Sequence, residues 1–104
     1  MLLSNMNIVP GREIGIIGIV DGSAAHAKHI GKDFMAGLKN VVGGELKGYS
    51  EMVEEAKQNA LNKMTAKAQS MGADAVINIR YAVTNMSQGS AIVVVASGTA
   101  VIIK

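Results

Sequence analysis

The chain contains 104 residues, of which 49% are hydrophobic and 17% are charged. This length suits a single domain spanning residues 1–104, and this composition excludes an intrinsically disordered chain. There is no cysteine, which excludes disulfides, thiolate metal ligands and a thiol nucleophile. We therefore expect one folded domain whose chemistry depends on oxygen, nitrogen and thioether groups.

The charge and hydropathy patterns argue against nucleic acid and membranes as partners. The formal net charge of +2 comes from dispersed basic residues, and the chain has two tyrosines, one phenylalanine and no tryptophan. Nucleic-acid binding usually requires a concentrated basic face with stacking aromatic residues. No apolar run reaches the roughly 18 residues of a membrane span, and the N-terminus lacks the pattern of a secretory signal. We expect a cytoplasmic protein.

A strand and a helix are predicted in the first half of the chain. Residues 12–20 (REIGIIGIV) are rich in β-branched residues, and the turn pair Asp21-Gly22 follows them, so a mostly buried strand should close there. Residues 24–42 follow a helical period, with lysines opposite one apolar stripe. That stripe consists of Ile30, Phe34, Leu38 and Val41.

A stronger helical pattern covers residues 50–72. Ser50 suits the N-cap, and Gly72 suits the position that follows the last helical turn. The predicted apolar stripe is Val53, Ala56, Ala60, Met64 and Met71, with Leu61 and Ala68 on its flank. The pair Gly43 and Gly44, followed by ELKG at 45–48, is interpreted as a backbone joint that lets both helices lie on the same face of one sheet.

Two strands are predicted near the C-terminus. Residues 75–84 alternate with a period of two, and residues 91–104 form a longer strand that is apolar on both faces. The polar stretch 85–90 (NMSQGS) suits a hairpin connection. The predicted order is β-α-α-β-β, which gives an α+β fold of two layers with both helices packed on one face of the sheet.

The second face of this sheet predicts self-association. Two helices cover one face, so Val93, Val95, Val101 and Ile103 would be exposed in a monomer. Leaving such side chains in water costs roughly 1.5–3 kcal/mol each relative to burial. We therefore predict a homo-oligomer, closed as a ring so that every copy is covered. The alternative is that the N-terminal residues Leu2, Leu3, Ile8 and Val9 fold back over this face as an extra strand.

Four polar residues are candidates for the interface or lumen of such a ring. Strict alternation places Asn78 and Arg80 together on the outer face of their strand, and Ser97 and Thr99 are small hydroxyl residues in the last strand. The alternative for Asn78 and Arg80 is a solvated strand face. Ser97 and Thr99 lack a base at suitable spacing, so close packing is a better interpretation for them than nucleophilic catalysis. The sequence contains no catalytic constellation, and we expect a protein that is not an enzyme.

Several segments together resemble a known family. EIGIIGIVDG, VVGGELKGYSEMVEEAKQNAL, AQSMGADAVINIRY and VVVASGTAVII occur in the order found in the YbjQ family of small bacterial and archaeal proteins. The resemblance covers nearly the whole chain. It implies a dodecin-like sheet-and-helix subunit and a homopentameric ring. It also carries a heavy-metal-binding label, but it supplies no activity and no cofactor.

The residues offer one candidate metal site for that label. If residues 24–42 are helical, His26, His29 and Asp33 lie together beside the apolar stripe. Such a trio could hold zinc, nickel or copper, with open positions for water or for a neighbouring subunit. The alternative is a helix flank whose imidazoles contact Asp33 or solvent.

Three interpretations of function follow. The first is a homo-oligomeric binding protein, pentameric by resemblance, that holds a metal ion or a small ligand between its subunits. The second is a purely structural or scaffolding oligomer without a ligand. An enzyme whose site is shared between neighbouring chains is a third, weaker reading.

Overall fold

The computed structural model describes residues 1–27, 44–86 and 91–104. Within these ranges the chain forms one four-stranded sheet and one helix. The elements are β1 (Leu2–Leu3), β2 (Ile14–Ala27), α1 (Gly44–Ser70), β3 (Ala75–Met86) and β4 (Ala91–Ile103). The order across the sheet is β1-β3-β4-β2, with β4 antiparallel to both of its neighbours and β1 parallel to β3. The expected mixture of helix and strand in one sheet-based fold is confirmed.

Strand β2 is longer than the sequence predicted. It continues through Asp21-Gly22 to Ala27, so the predicted turn there is wrong, and the predicted helix 24–42 overlaps a strand at its start. The reason is close packing. A Cβ atom built on Gly22 would overlap the carbonyl oxygen of Ala60 and would lie 2.5 Å from the backbone nitrogen of Met64. Gly22 therefore marks the place where the helix backbone touches the sheet. Residues 28–42 of the predicted helix lie outside the described residues, and a second helix stays a prediction.

Helix α1 confirms the second helical pattern and corrects its limits. It begins at Gly44, so ELKG is helical and the predicted joint at these residues is wrong, while Gly43 lies outside the described residues. The helix ends at Ser70, before Gly72, whose φ of +80° is the left-handed conformation that terminates helices. Met71 is 42% exposed, so its predicted place in the buried stripe is wrong. The buried stripe recurs at every fourth residue: Met52, Ala56, Ala60, Met64 and Ala68.

Strand β3 contains a bulge that interrupts its alternation. The register with β4 shifts between Ile77 and Arg80, and Asn78 has a φ of +57°. The bulged backbone binds the N-terminal segment, because Asn78 N–H donates to the Met6 carbonyl at 2.8 Å. An extra residue in one strand exchanges the faces of the residues that follow it. Ile77 and Arg80 consequently share one face, which strict alternation did not predict.

The two faces of the sheet are covered unequally. The face towards α1, the helix side, carries the main core. The opposite face is called the outer face below. Among the described residues, a second core cluster covers it at one end, where Val9 packs with Ala75, Ile77 and Val101. The N-terminal segment thus covers Val101, as the alternative proposed. It does so through Val9, however, because Leu2–Leu3 form an edge strand beside β3.

Candidate functional site

The outer face of the sheet exposes a broad apolar surface. Ile16 and Ile19 on β2 are 75% and 83% exposed. On β4, Ile16 pairs with the buried Val101 and Ile19 pairs with Thr99. Further along the same face, beyond the pair of Asp21 and Ser97, the half-buried Val95 and Val93 pair with Ser23 and Ala25. Large apolar side chains that are exposed together on one face of a sheet are typical of interaction sites on proteins. The part of the outer face beyond Val9 is therefore the leading candidate for a functional surface.

A polar row crosses the same surface. The strand register places Asp21, Ser97 and Arg80 directly opposite one another on β2, β4 and β3. The carboxylate of Asp21 already has a counter-ion, since Lys67 Nζ lies 3.0 Å from its Oδ1. Arg80 is exposed and has no hydrogen bond or ion pair to any described residue. A guanidinium group in this position is available to a ligand or to another subunit.

The structure brings together three of the four predicted interface residues. Thr99 lies two residues from Ser97 on the same strand, and it pairs with Ile19 on one side and with Ile77 on the other. Arg80, Ser97 and Thr99 therefore share the outer face. Asn78 lies apart from them at the bulge, where it is exposed. No local pattern predicts this separation, because the bulge depends on hydrogen bonds from a distant segment of the chain.

His26 lies near the end of β2 on the helix side, opposite Ile92. Its Nε2 is 3.2 Å from Oε2 of Glu55 on α1, and the two side chains are 27% and 66% exposed. Because His26 belongs to a strand, the helical spacing that grouped it with His29 and Asp33 does not apply to it. The latter two residues lie outside the described residues. Sequence reasoning missed Glu55, since only the packing of α1 on β2 brings it to His26.

The donor set around His26 does not by itself fit a metal centre. Structural zinc sites use four protein ligands, and catalytic ones use three. Across residues 1–27, 44–86 and 91–104, no group of three histidine, aspartate or glutamate side chains is placed to hold a metal ion. His26 and Glu55 supply two donors, so any metal bound there would require further ligands.

A groove runs along the helix side of the sheet, near the edge that β1 and β3 form. It has a volume of about 280 Å³ and is called the edge groove below. Its lining residues are Leu3, Ser4, Asn5, Leu61, Ile79 and Tyr81. The bulge places Tyr81 on this side of β3, opposite Ala96. Strict alternation grouped Tyr81 with Ile77, which lies on the outer face, so the sequence did not reveal this groove.

The whole chain, residues 1–104, matches the family model described as "Putative heavy-metal-binding". The chain belongs to the YbjQ family. Among curated relatives in this family, a UPF0145 protein from Clostridium tetani is 55% identical over 100% of this chain and 98% of its own length. A UPF0145 protein from Hahella chejuensis is 48% identical over the full length of both chains. Another from Archaeoglobus fulgidus is 45% identical over 97% of this chain and 94% of its own length.

A solved structure supports the fold of this YbjQ-family chain. It is the crystal structure of a protein of unknown function, belonging to the DUF74 family, from Pediococcus pentosaceus. The two chains superpose with a TM-score of 0.68 at 20% sequence identity, over 100% of this chain and 98% of the other. At this identity the likeness concerns the fold alone. No helix in the described part of the chain is long and apolar enough to cross a membrane.

Proposed function

We propose that this YbjQ-family protein is a homo-oligomeric binding protein of the cytoplasm, in which copies of the chain cover one another's outer face. The observation that carries this proposal is the exposure of Ile16 and Ile19, at 75% and 83%, on the same face of the sheet as the half-buried Val93 and Val95. Burying an isoleucine side chain contributes about 1.5–3 kcal/mol, so these two alone favour association by roughly 3–6 kcal/mol per copy. This is comparable to the net stability of a small domain.

A second copy of the chain is the occupant best supported for this surface. Within residues 1–27, 44–86 and 91–104, the segment around Val9 covers the end of the outer face that contains Val101 and leaves Ile16 and Ile19 exposed. Closed symmetry gives every copy the same cover, and we propose a ring for this reason. Five subunits is the number that the family resemblance implies. In such a ring Arg80, Ser97 and Thr99 would lie at the contact between copies or along the lumen.

Binding between subunits is the proposed role of this assembly. His26 and Glu55 offer two adjacent donors, 3.2 Å apart, and a neighbouring copy or the predicted ligands His29 and Asp33 would complete a metal site. Arg80, which has no ion pair with any residue that the structure describes, offers a cation for a small anionic ligand. We propose binding without catalysis, because the sequence places no nucleophile beside a base.

The assembly is tested by one charge placed on the outer face. Ile19→Lys alters a side chain that is 83% exposed, so the fold of a single copy should tolerate it. Ala66→Lys is the matched control, since Ala66 is exposed on α1 away from the outer face. Native mass spectrometry of dilute samples should show oligomers for the wild type and for Ala66→Lys, and monomers for Ile19→Lys. A monomeric wild type, or an Ile19→Lys variant that still assembles, would refute the proposal.

Ligand binding is tested separately by calorimetry with zinc and copper. Glu55→Gln should weaken a metal site at His26, whereas Glu54→Gln, one residue away and paired with Lys57 at 3.7 Å, should leave the affinity unchanged. Titration of inorganic phosphate into the wild type and into Arg80→Gln tests whether Arg80 binds an anion. If oligomers form but neither metals nor phosphate release heat, the scaffolding interpretation replaces the binding interpretation.

A further inference from the structure

The edge groove exists because the sheet extends past the helix. Helix α1 lies over β2 and β4, so Tyr81 and Val83 on the helix side of β3 are left 43% and 47% exposed. The parallel pairing of Leu3 with Val76 places Leu3 on the same side of the sheet. The flank of α1 forms one wall of the groove through Leu61. This geometry gives a concave site with an apolar floor and one apolar wall.

The rim of the groove carries polar groups without partners. Neither the Asn5 amide nor the Tyr81 hydroxyl has a hydrogen bond to any residue that the structure describes. The Ser4 hydroxyl also lines the groove, where it accepts a hydrogen bond from Met6 N–H at 3.0 Å. A few convergent polar groups beside an apolar surface are typical of small-molecule sites.

One positive charge lies at the groove. Lys57 Nζ is 5.1 Å from the centroid of the Tyr81 ring. Lys57 precedes Leu61 by one helical turn, so both side chains lie on the same flank of α1. The carboxylate paired with Lys57 belongs to Glu54, at 3.7 Å and with a side chain that is 74% exposed, a pairing that solvent largely screens. The lining residues include no acidic side chain.

We propose that the edge groove binds a small carboxylate with an apolar body, such as a short fatty acid. The apolar body lies on Leu3, Leu61 and Ile79. The carboxylate is held near Lys57, with the Tyr81 hydroxyl as a hydrogen-bond donor. The volume of about 280 Å³ is at the lower limit for ligand pockets, which restricts the site to small molecules. This site lies on the opposite side of the sheet from the proposed subunit contact and does not depend on it.

The test uses the full-length, ¹⁵N-labelled protein and hexanoate as the probe. Saturable changes in amide chemical shifts are expected at residues 3–5, 61 and 79–81. Hexylammonium, which has the same apolar body and the opposite charge, should give no saturable change there. Lys57→Gln should weaken hexanoate binding about threefold or more. Lys63→Gln is the matched control, because Lys63 Nζ donates a hydrogen bond to the Ser23 carbonyl oxygen on β2, away from the groove. The affinity of Lys63→Gln for hexanoate should equal that of the wild type.

Three results would overturn the proposal. The first is a set of shift changes that do not saturate or that lie outside the groove. The second is equal binding of hexanoate and hexylammonium by the wild type, which requires no variant. The third is dissociation of the oligomer by Tyr81→Ala, which would show that a second copy of the chain fills the groove. Failure here leaves the Ile19→Lys test of assembly unaffected, so the two proposals can be rejected separately.

Discussion

Replacing Gly22 with alanine should separate the helix from the sheet. The added Cβ would lie 2.5 Å from the backbone nitrogen of Met64 and 2.9 Å from the Cβ of Lys63, and it would overlap the carbonyl oxygen of Ala60. These atoms belong to the middle of α1 and cannot rotate away as the end of a flexible side chain would. Ordinary non-bonded contacts are about 3.5 Å, so α1 must move by about 1 Å along this part of the sheet.

The cost of this movement follows from what lies under the helix. Residues Met52, Ala56, Ala60, Met64 and Ala68 are at most 1% exposed and pack directly on β2 and β4. A gap of 0.5–1 Å removes about a quarter to a half of the dispersion energy of each contact. Overpacking usually costs about 1–3 kcal/mol, and the clash with backbone atoms places Gly22→Ala at about 3 kcal/mol or above. For a domain of this size the melting temperature should fall by roughly 12 °C or more.

Gly18→Ala is the matched control for this experiment. Gly18 lies on the same strand and the same face, but the nearest atom to its added Cβ would be Met71 Cε at 3.7 Å, an ordinary contact. This variant should be as stable as the wild type or up to about 1 kcal/mol more stable, because alanine restricts the unfolded chain.

The assay is urea unfolding followed by far-ultraviolet circular dichroism, which reports the 27-residue helix. All three proteins must be compared at one concentration, since association would shift the apparent stability. A Gly22→Ala variant within about 1 kcal/mol of Gly18→Ala would refute the reasoning, because the overpacking estimate requires a larger difference.

Three further predictions concern the bulge, the end of the sheet and the contact between His26 and Glu55. Asn78→Ala should lose about 1 kcal/mol of unfolding free energy, because φ is +57° at this position, whereas Asn78→Gly should stay within about 0.5 kcal/mol of the wild type. Equal melting temperatures of the two variants would contradict this prediction. Asp74→Ala should lose about 1 kcal/mol of unfolding free energy in urea titrations, since Asp74 Oδ2 accepts a hydrogen bond from Ile103 N–H at 2.9 Å. Asp74→Asn keeps an acceptor oxygen and should retain most of this free energy. A double-mutant cycle on His26 and Glu55 should give a coupling of at most about 1 kcal/mol; a larger value would show that the pair is not a surface contact.

The local periodicity of the chain predicted most of its elements. The helical spacing of small and apolar residues identified α1, and the apolar runs and alternation identified β3 and β4. These patterns are local because each element presents one face to the core, so its apolar residues recur at the helical or the strand period. An uncovered apolar face was predicted through Val93, Val95, Val101 and Ile103, but Val101 is buried under Val9 and the other three are half-buried. Among the described residues of this face, Ile16 and Ile19 are the most exposed large apolar side chains.

The same patterns predicted β2 but ended it too early, because an Asp-Gly pair has more than one meaning. Asp21-Gly22 is typical of a turn when it is read locally. Here the strand continues through it, since the absence of a side chain at Gly22 lets α1 approach the sheet. Only the position of the helix distinguishes the two meanings.

The candidate sites depended still more on tertiary structure. The sequence by itself determined which segments have an apolar face, and it identified Arg80, Ser97 and Thr99 as polar residues in otherwise apolar strands. The fold decided that a bulge, held by the N-terminal segment, separates Asn78 from them and brings Tyr81 to the edge groove. It also decided that His26 lies beside Glu55. A periodic pattern specifies which face of an element is buried, whereas the neighbour that covers it depends on contacts between distant segments, which no local pattern records.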